Sequence, residues 1–175
     1  MARGARYANA MADPKHHVHD EKRARVSILT VSDTRTRADD LGGDEVVRLV
    51  LAAAHVVATR SIVPDDAGQI RQALTWLASE EVDAIITTGG TGIAARDVTY
   101  EVVAALLEKR LDGFGEAFRR LSWEQIGARA ILSRAIAGTL GSTLIFALPG
   151  SPRAVQLAME SIVMPVLGHA VGLLR

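Results

Sequence analysis

The run Ile85-Ile86-Thr87-Thr88 reads as a buried strand and empties directly into Gly89-Gly90-Thr91-Gly92. This junction constrains the chain more than any other stretch. Branched residues favour extended backbone, whereas the glycines admit left-handed turns and let the main chain approach a ligand without interference from a Cβ. Such a loop turns its N–H groups toward an anion, and the threonine hydroxyls add donors of little bulk. Arg96-Asp97-Val98-Thr99-Tyr100-Glu101 follows at once. There Asp97 or Thr99 can cap a helix whose positive end faces the same anion. The plainer alternative is a tight strand-to-helix turn.

Around this junction the chain alternates between two periodicities. Residues 25–32 read as a buried first strand, followed by a polar loop over residues 33–43. Val46, Leu49, Val50 and Ala53 then recur at helical spacing,. The stretch from His55 to Val63 is a β-branched strand stopped by Pro64-Asp65-Asp66, and Ile70, Ala73, Leu74 and Leu77 mark a second helix before the strand of residues 82–88. Beyond the glycine loop, Val103, Leu106 and Leu107 lie on one helix and Phe114, Ala117, Phe118 and Leu121 on another. Residues 134–140 and 143–148 flank Gly141-Ser142, a turn that predicts an antiparallel hairpin at the sheet edge. Pro149-Gly150-Ser151-Pro152 leads into a last helix carrying Val155, Ala158, Met159 and Ile162, with Pro152 suited to its first turn,. Strands and helices in alternation predict an α/β domain built on a mostly parallel sheet with helices on both faces.

Composition narrows the function. A chain of 175 residues with 49% hydrophobic content fills one core,, and we expect a flexible tail over residues 1–24 before a single domain over 25–175. His16, His17 and His19 in that tail are either metal ligands or solvated side chains. Twenty basic residues balance twenty acidic ones, so no global field draws in nucleic acid or a membrane surface and anion binding must be local. Cysteine is absent, which removes thiolate metal sites and thiol nucleophiles. No signal peptide is expected, and no segment is expected to approach the ~20 apolar residues of a membrane span. A soluble, cytoplasmic protein is expected.

In open α/β sheets, ligands bind beyond the carboxyl ends of the strands. Four loops fall there: Ser32-Asp33, Pro64-Asp65-Asp66, residues 89–97 and residues 149–152. Asp65 and Asp97 would share a rim, where paired carboxylates can hold Mg²⁺ and so neutralise phosphate oxygens. Either aspartate has a structural alternative as a turn or cap residue. Arg134, beside Ser133, can clamp a phosphate or pair with a surface carboxylate. Arg96 carries the same ambiguity, and Asp44 reads as a solvated residue in a helix's first turn. The lysine-bearing phosphate loop and the dinucleotide fingerprint are both missing, which favours nucleotidyl transfer or binding over a generic ATPase.

Taken in order, the Thr87–Gly92 string, Arg96-Asp97-Val98-Thr99, Gly113-Phe114-Gly115-Glu116, Ser133-Arg134 and Leu148-Pro149-Gly150-Ser151 resemble the MoaB/Mog family across residues 25–175. That family includes the molybdopterin adenylyltransferases and the G domain of gephyrin. The resemblance implies a three-layer α/β sandwich that assembles as a homotrimer or homohexamer. It also implies transfer of AMP from Mg·ATP to the terminal phosphate of molybdopterin, with release of pyrophosphate. Asp65 and Asp97 would be the catalytic and Mg²⁺-binding residues. Ser32, Asp33, Thr88, Gly89, Gly90, Thr91, Gly92, Arg96, Ser133, Arg134, Pro149, Gly150 and Ser151 would contact substrate. The sequence departs from the family at Tyr100, where many members carry proline, and at Ser151, where some active members carry asparagine. Its Gly150-Ser151-Pro152-Arg153 ending resembles the MoaB branch, some of whose members adenylylate little or not at all. The alternative activity is therefore non-catalytic molybdopterin binding or scaffolding of other proteins in the same pathway.

Overall fold

In the computed structural model, which describes residues 22–175, the strands form one mixed sheet. The strands are β1 (Arg25–Val31), β2 (Val56–Val63), β3 (Ala84–Thr88), β4 (Lys109–Arg110), β5 (Ile136–Leu140) and β6 (Thr143–Leu148). Their order is β2-β1-β3-β6-β5-β4, with β2, β1, β3 and β6 parallel, β5 antiparallel to β6, and β4 antiparallel to β5. The predicted hairpin is β5–β6, and the sheet does end in an antiparallel pair. β6 nevertheless lies inside, against β3, and the two-residue β4 covers β5. β4 escaped sequence reading because two exposed basic residues carry no alternating pattern.

Side-chain alternation splits the core in two. Ile28, Ile86, Phe146 and Leu148 face α1 (Leu41–Ala52), α4 (Asp112–Ile126), α5 (Pro152–Ala158) and α6 (Met164–Leu174). Leu29, Ile85, Ile145 and Ala147 face α2 (Ala67–Ser79) and α3 (Thr99–Leu106). Three layers result, with Phe114 edge-on to Phe146 at 5.5 Å between ring centres,. Ala53, expected on the buried face of α1, is instead its exposed C-cap residue. The three tail histidines and residues 1–21 lie outside the described residues.

The C-terminal helical run corrects one expectation. Residues Pro152–Leu174 are long and apolar enough to cross a membrane by length and composition, which no segment seemed to be. A π turn over Met159–Val163 joins α5 to α6. Along the whole run, Val155, Met159, Val163, Leu167 and Val171 are buried against the sheet. At the base of the sheet, Arg175 forms an ion pair with Asp83, whose second oxygen accepts the Arg25 N–H at 2.7 Å.

A buried polar group pins α1. Asp40 caps it, accepting the Gly43 N–H at 2.9 Å and the Thr30 hydroxyl at 2.7 Å. Arg60 donates to Asp40 Oδ2 at 2.9 Å and to Asp44 at 2.5 Å, so Asp44 is paired and not merely solvated. Burial pushes the Asp40 carboxyl up, but the bonds from Arg60, Thr30 and Gly43 outweigh it and hold the group below the usual carboxylate range,. Asp40→Ala is expected to lower the unfolding free energy by about 2 kcal/mol, since it removes the α1 cap and one of the two carboxylates that meet the buried Arg60 guanidinium,. A folded pKa below the unfolded one gives stability that is present above about pH 4 and lost as pH falls through the depressed value. Calorimetric midpoints of wild type and Asp40→Ala should therefore differ at neutral pH and converge in acid.

Candidate active site

The sheet reverses direction of growth at β1, with β2 on one side and β3 on the other, and the glycine loop sits at this switch point,. Gly89 and Gly90 have φ of +97° and +62°, which side-chain-bearing residues rarely adopt,. A Cβ on Gly89 would strike the Val31 carbonyl oxygen at the end of β1. The Gly89 N–H meanwhile donates to the Leu148 carbonyl at 3.1 Å, tying the loop to β6. The ends of β1, β3 and β6 thus meet at one point.

A cavity of about 370 Å³ opens there. Asp65, Gly89, Gly90, Thr91, Gly92, Arg96, Asp97, Ser133, Pro149 and Gly150 line it, together with Leu132, which sequence reading did not single out. The sequence thus placed two catalytic candidates and most of the binding candidates in one hollow. Ser32 and Thr88 line a smaller hollow of about 180 Å³ that shares Gly89 and Gly150 with the first. Arg35 and Asp40, which carry no distinguishing sequence signal, belong to this second hollow. Asp33, Arg134 and Ser151 line neither, and each is engaged by other groups of the protein. The Ser151 hydroxyl caps α5 by accepting the Ala154 N–H at 3.2 Å.

Two adjacent aspartates divide their labour. Asp66 caps α2, accepting the Gln69 N–H at 2.9 Å. That leaves Asp65 free to face the cavity, its N–H held by Asp33 Oδ1 at 3.0 Å. Asp65 Oδ1 is buried with no hydrogen-bond partner among the described residues. Burial, then the charges of Asp33 and Asp97, push the Asp65 carboxyl above its ordinary value, with Arg96 opposing,. The cavity therefore stores negative charge that a cation would relieve. No three histidines, aspartates or glutamates among the described residues come close enough to form a ready-made metal site. A cation here would need oxygens from substrate or water, as Mg²⁺ commonly does.

Asp97 does not cap α3, which begins after Val98 with no side-chain cap. Its carboxylate turns back instead and accepts the Ala94 N–H at 2.9 Å, crowding Gly92 closely enough to exclude a Cβ there. Arg134 holds the same loop from behind. It pairs with Glu101, donates to the carbonyls of Gly92 and Asp97, and lies 5.1 Å from the centre of the Tyr100 ring,. Its terminal nitrogens are spent on protein, so it shapes the loop from outside the cavity it was expected to serve. Arg96 is the exposed cation at the cavity wall.

Residues 27–169 match the family model described as "Probable molybdopterin binding domain". Molybdenum cofactor biosynthesis protein B of Bacillus cereus is 47% identical over 161 residues, covering 91% of this chain and 95% of that protein. A crystal structure of a molybdenum cofactor biosynthesis protein B superposes with a TM-score of 0.84 at 48% identity, covering 87% of this chain and 96% of the other. The tungsten cofactor synthesizing protein MoaB from Pyrococcus furiosus superposes with a TM-score of 0.80 at 34% identity, covering 88% and 98%. The glycine-floored cavity and its paired aspartates thus sit in a chain that belongs to the molybdopterin-binding MoaB/Mog family.

Proposed function

We propose that this protein acts in molybdenum cofactor biosynthesis by adenylylating molybdopterin. The convergence of Asp65 and Asp97 on a single cavity floored by glycine backbone carries the reading. A phosphate oxygen of molybdopterin attacks the α-phosphorus of ATP, a new P–O–P linkage forms, and the bond to the β-phosphate oxygen breaks to release pyrophosphate. The nucleophile arrives already ionised, so no side chain need be activated. What the protein must do is hold two polyanions in line and offset their repulsion.

The residues suit that work. Backbone N–H groups of residues 90–92 and the Thr91 hydroxyl would bind phosphate, and Arg96 adds a positive charge at the rim. The raised Asp65 carboxyl and the nearby Asp97 fit a Mg²⁺ site completed by substrate oxygens,. When bound, Mg²⁺ would neutralise charge on the phosphates undergoing transfer. Arg134 fixes the loop from behind, so the donors are set before substrate arrives. Apolar side chains exposed at the end of α4 and just after it, namely Trp123, Ile126, Ile131 and Leu132, favour assembly as a homotrimer or homohexamer,. In this reading the product passes to other proteins of the pathway, and the reaction runs in the cytoplasm, where ATP is supplied.

Incubation with Mg·ATP and molybdopterin should release pyrophosphate in step with pterin adenylylation. A pure binding protein would retain the pterin and release none. Asp65→Asn and Asp97→Asn are each expected to lower turnover by roughly two orders of magnitude or more while remaining folded. Asp65→Asn should also melt at or above the wild-type midpoint, because it removes a carboxylate repelled by Asp33 and Asp97. Turnover near wild type in both variants would overturn the mechanism.

A further inference from the structure

Thr99 opens α3, and its N–H donates to the Gly90 carbonyl at 3.0 Å. The residue is fully buried, yet its hydroxyl has no hydrogen-bond partner among the described residues. Leaving a buried hydroxyl unmet costs roughly 1–3 kcal/mol. Asp65 Oδ1 is unmet in the same way, and a Cβ on Gly90 would collide with both oxygens. A carboxylate from the β2–α2 connection and a hydroxyl from the start of α3 therefore meet over one bare patch of backbone. Neither satisfies the other.

We propose that Thr99 is a further residue of the cation site, its hydroxyl oxygen and Asp65 Oδ1 together taking a divalent cation or a water molecule of its shell. The inference rests on the adenylyl-transfer reading and adds a residue to it. Hard cations take carboxylate, hydroxyl and water oxygens alike, and Mg²⁺ keeps several waters for which a protein must find partners. A phosphate oxygen alone would accept from Thr99 but be repelled by Asp65, and an apolar group would leave both oxygens unmet. Gly90 fits the same requirement, since any side chain there would fill the space that the two oxygens share.

Thr99→Val keeps the branched shape and removes only the hydroxyl; Thr99→Ser keeps the hydroxyl. Mn²⁺ binding to the full chain, followed by electron paramagnetic resonance with α,β-methylene-ATP present, should weaken about tenfold in Thr99→Val and match wild type in Thr99→Ser. The metal-free melting midpoint of Thr99→Val should equal or exceed that of wild type, because a methyl group replaces an unsatisfied hydroxyl. If wild type and Thr99→Val hold Mn²⁺ equally, Thr99 is not part of the site. A lowered metal-free midpoint with unchanged Mn²⁺ affinity would make the hydroxyl structural and likewise overturn the proposal. If wild type itself holds no Mn²⁺ beside the nucleotide analogue, the adenylyl-transfer reading fails, and this inference with it.

Discussion

The close approach of Gly89 to the Val31 carbonyl is the constraint on which the site depends. Three strand ends can meet around one loop only if the backbone passing between them carries no side chain. Positive φ at two successive residues then turns the chain so that Thr91, Gly92, Arg96 and Asp97 line the cavity at the strand ends. The N–H of Gly89 is tied to β6 while its Cα rests against β1. The loop is therefore wedged between strands, and its amides hold their direction without help from a ligand, an arrangement suited to stabilising charge that builds up during a reaction.

Polar groups around the wedge fall into those already satisfied and those held in reserve. Asp66, Ser151 and Asp40 each cap a helix, and Asp33 accepts a backbone N–H. Arg134 is spent on carbonyls and on Glu101. Asp65 Oδ1, Thr99 Oγ1 and Ser133 Oγ are buried without partners, and Asp65 and Ser133 both line the main cavity. Ser27, Thr87 and the Nε atoms of Arg60 and Arg134 are unmet too, so an unpartnered oxygen points to chemistry only where it faces the glycine loop, as Asp65 Oδ1 and Thr99 Oγ1 do at Gly90,.

Much of this was legible in the residues. Apolar periodicity located the α1 to α4 faces, and β-branched runs ending at Pro64 and at Gly89 located β2 and β3. Loops at strand ends put Asp65 and Asp97 on one rim because parallel strands share a direction. What escaped were features that depend on partners distant in sequence. Sequence left Arg134 open between a phosphate clamp and a carboxylate pair, because Glu101 and the carbonyls it binds lie 33, 42 and 37 residues away. Asp44 looked solvated because Arg60 reaches it only across the fold. Thr99 looked like a capping residue, and only the packed structure reveals that its oxygen caps nothing.

The helical run over residues 152–174 bears on how the chain is built. It supplies Met159, Val163, Leu167 and Val171 to the layer that covers Ile28, Ile86 and Phe146. Synthesis runs from the N-terminus, so the strands that cradle the site are made before this run, which helps cover one of their faces. Until residues 152–174 have emerged, that apolar face lies partly open to the chaperones that shield half-made cores.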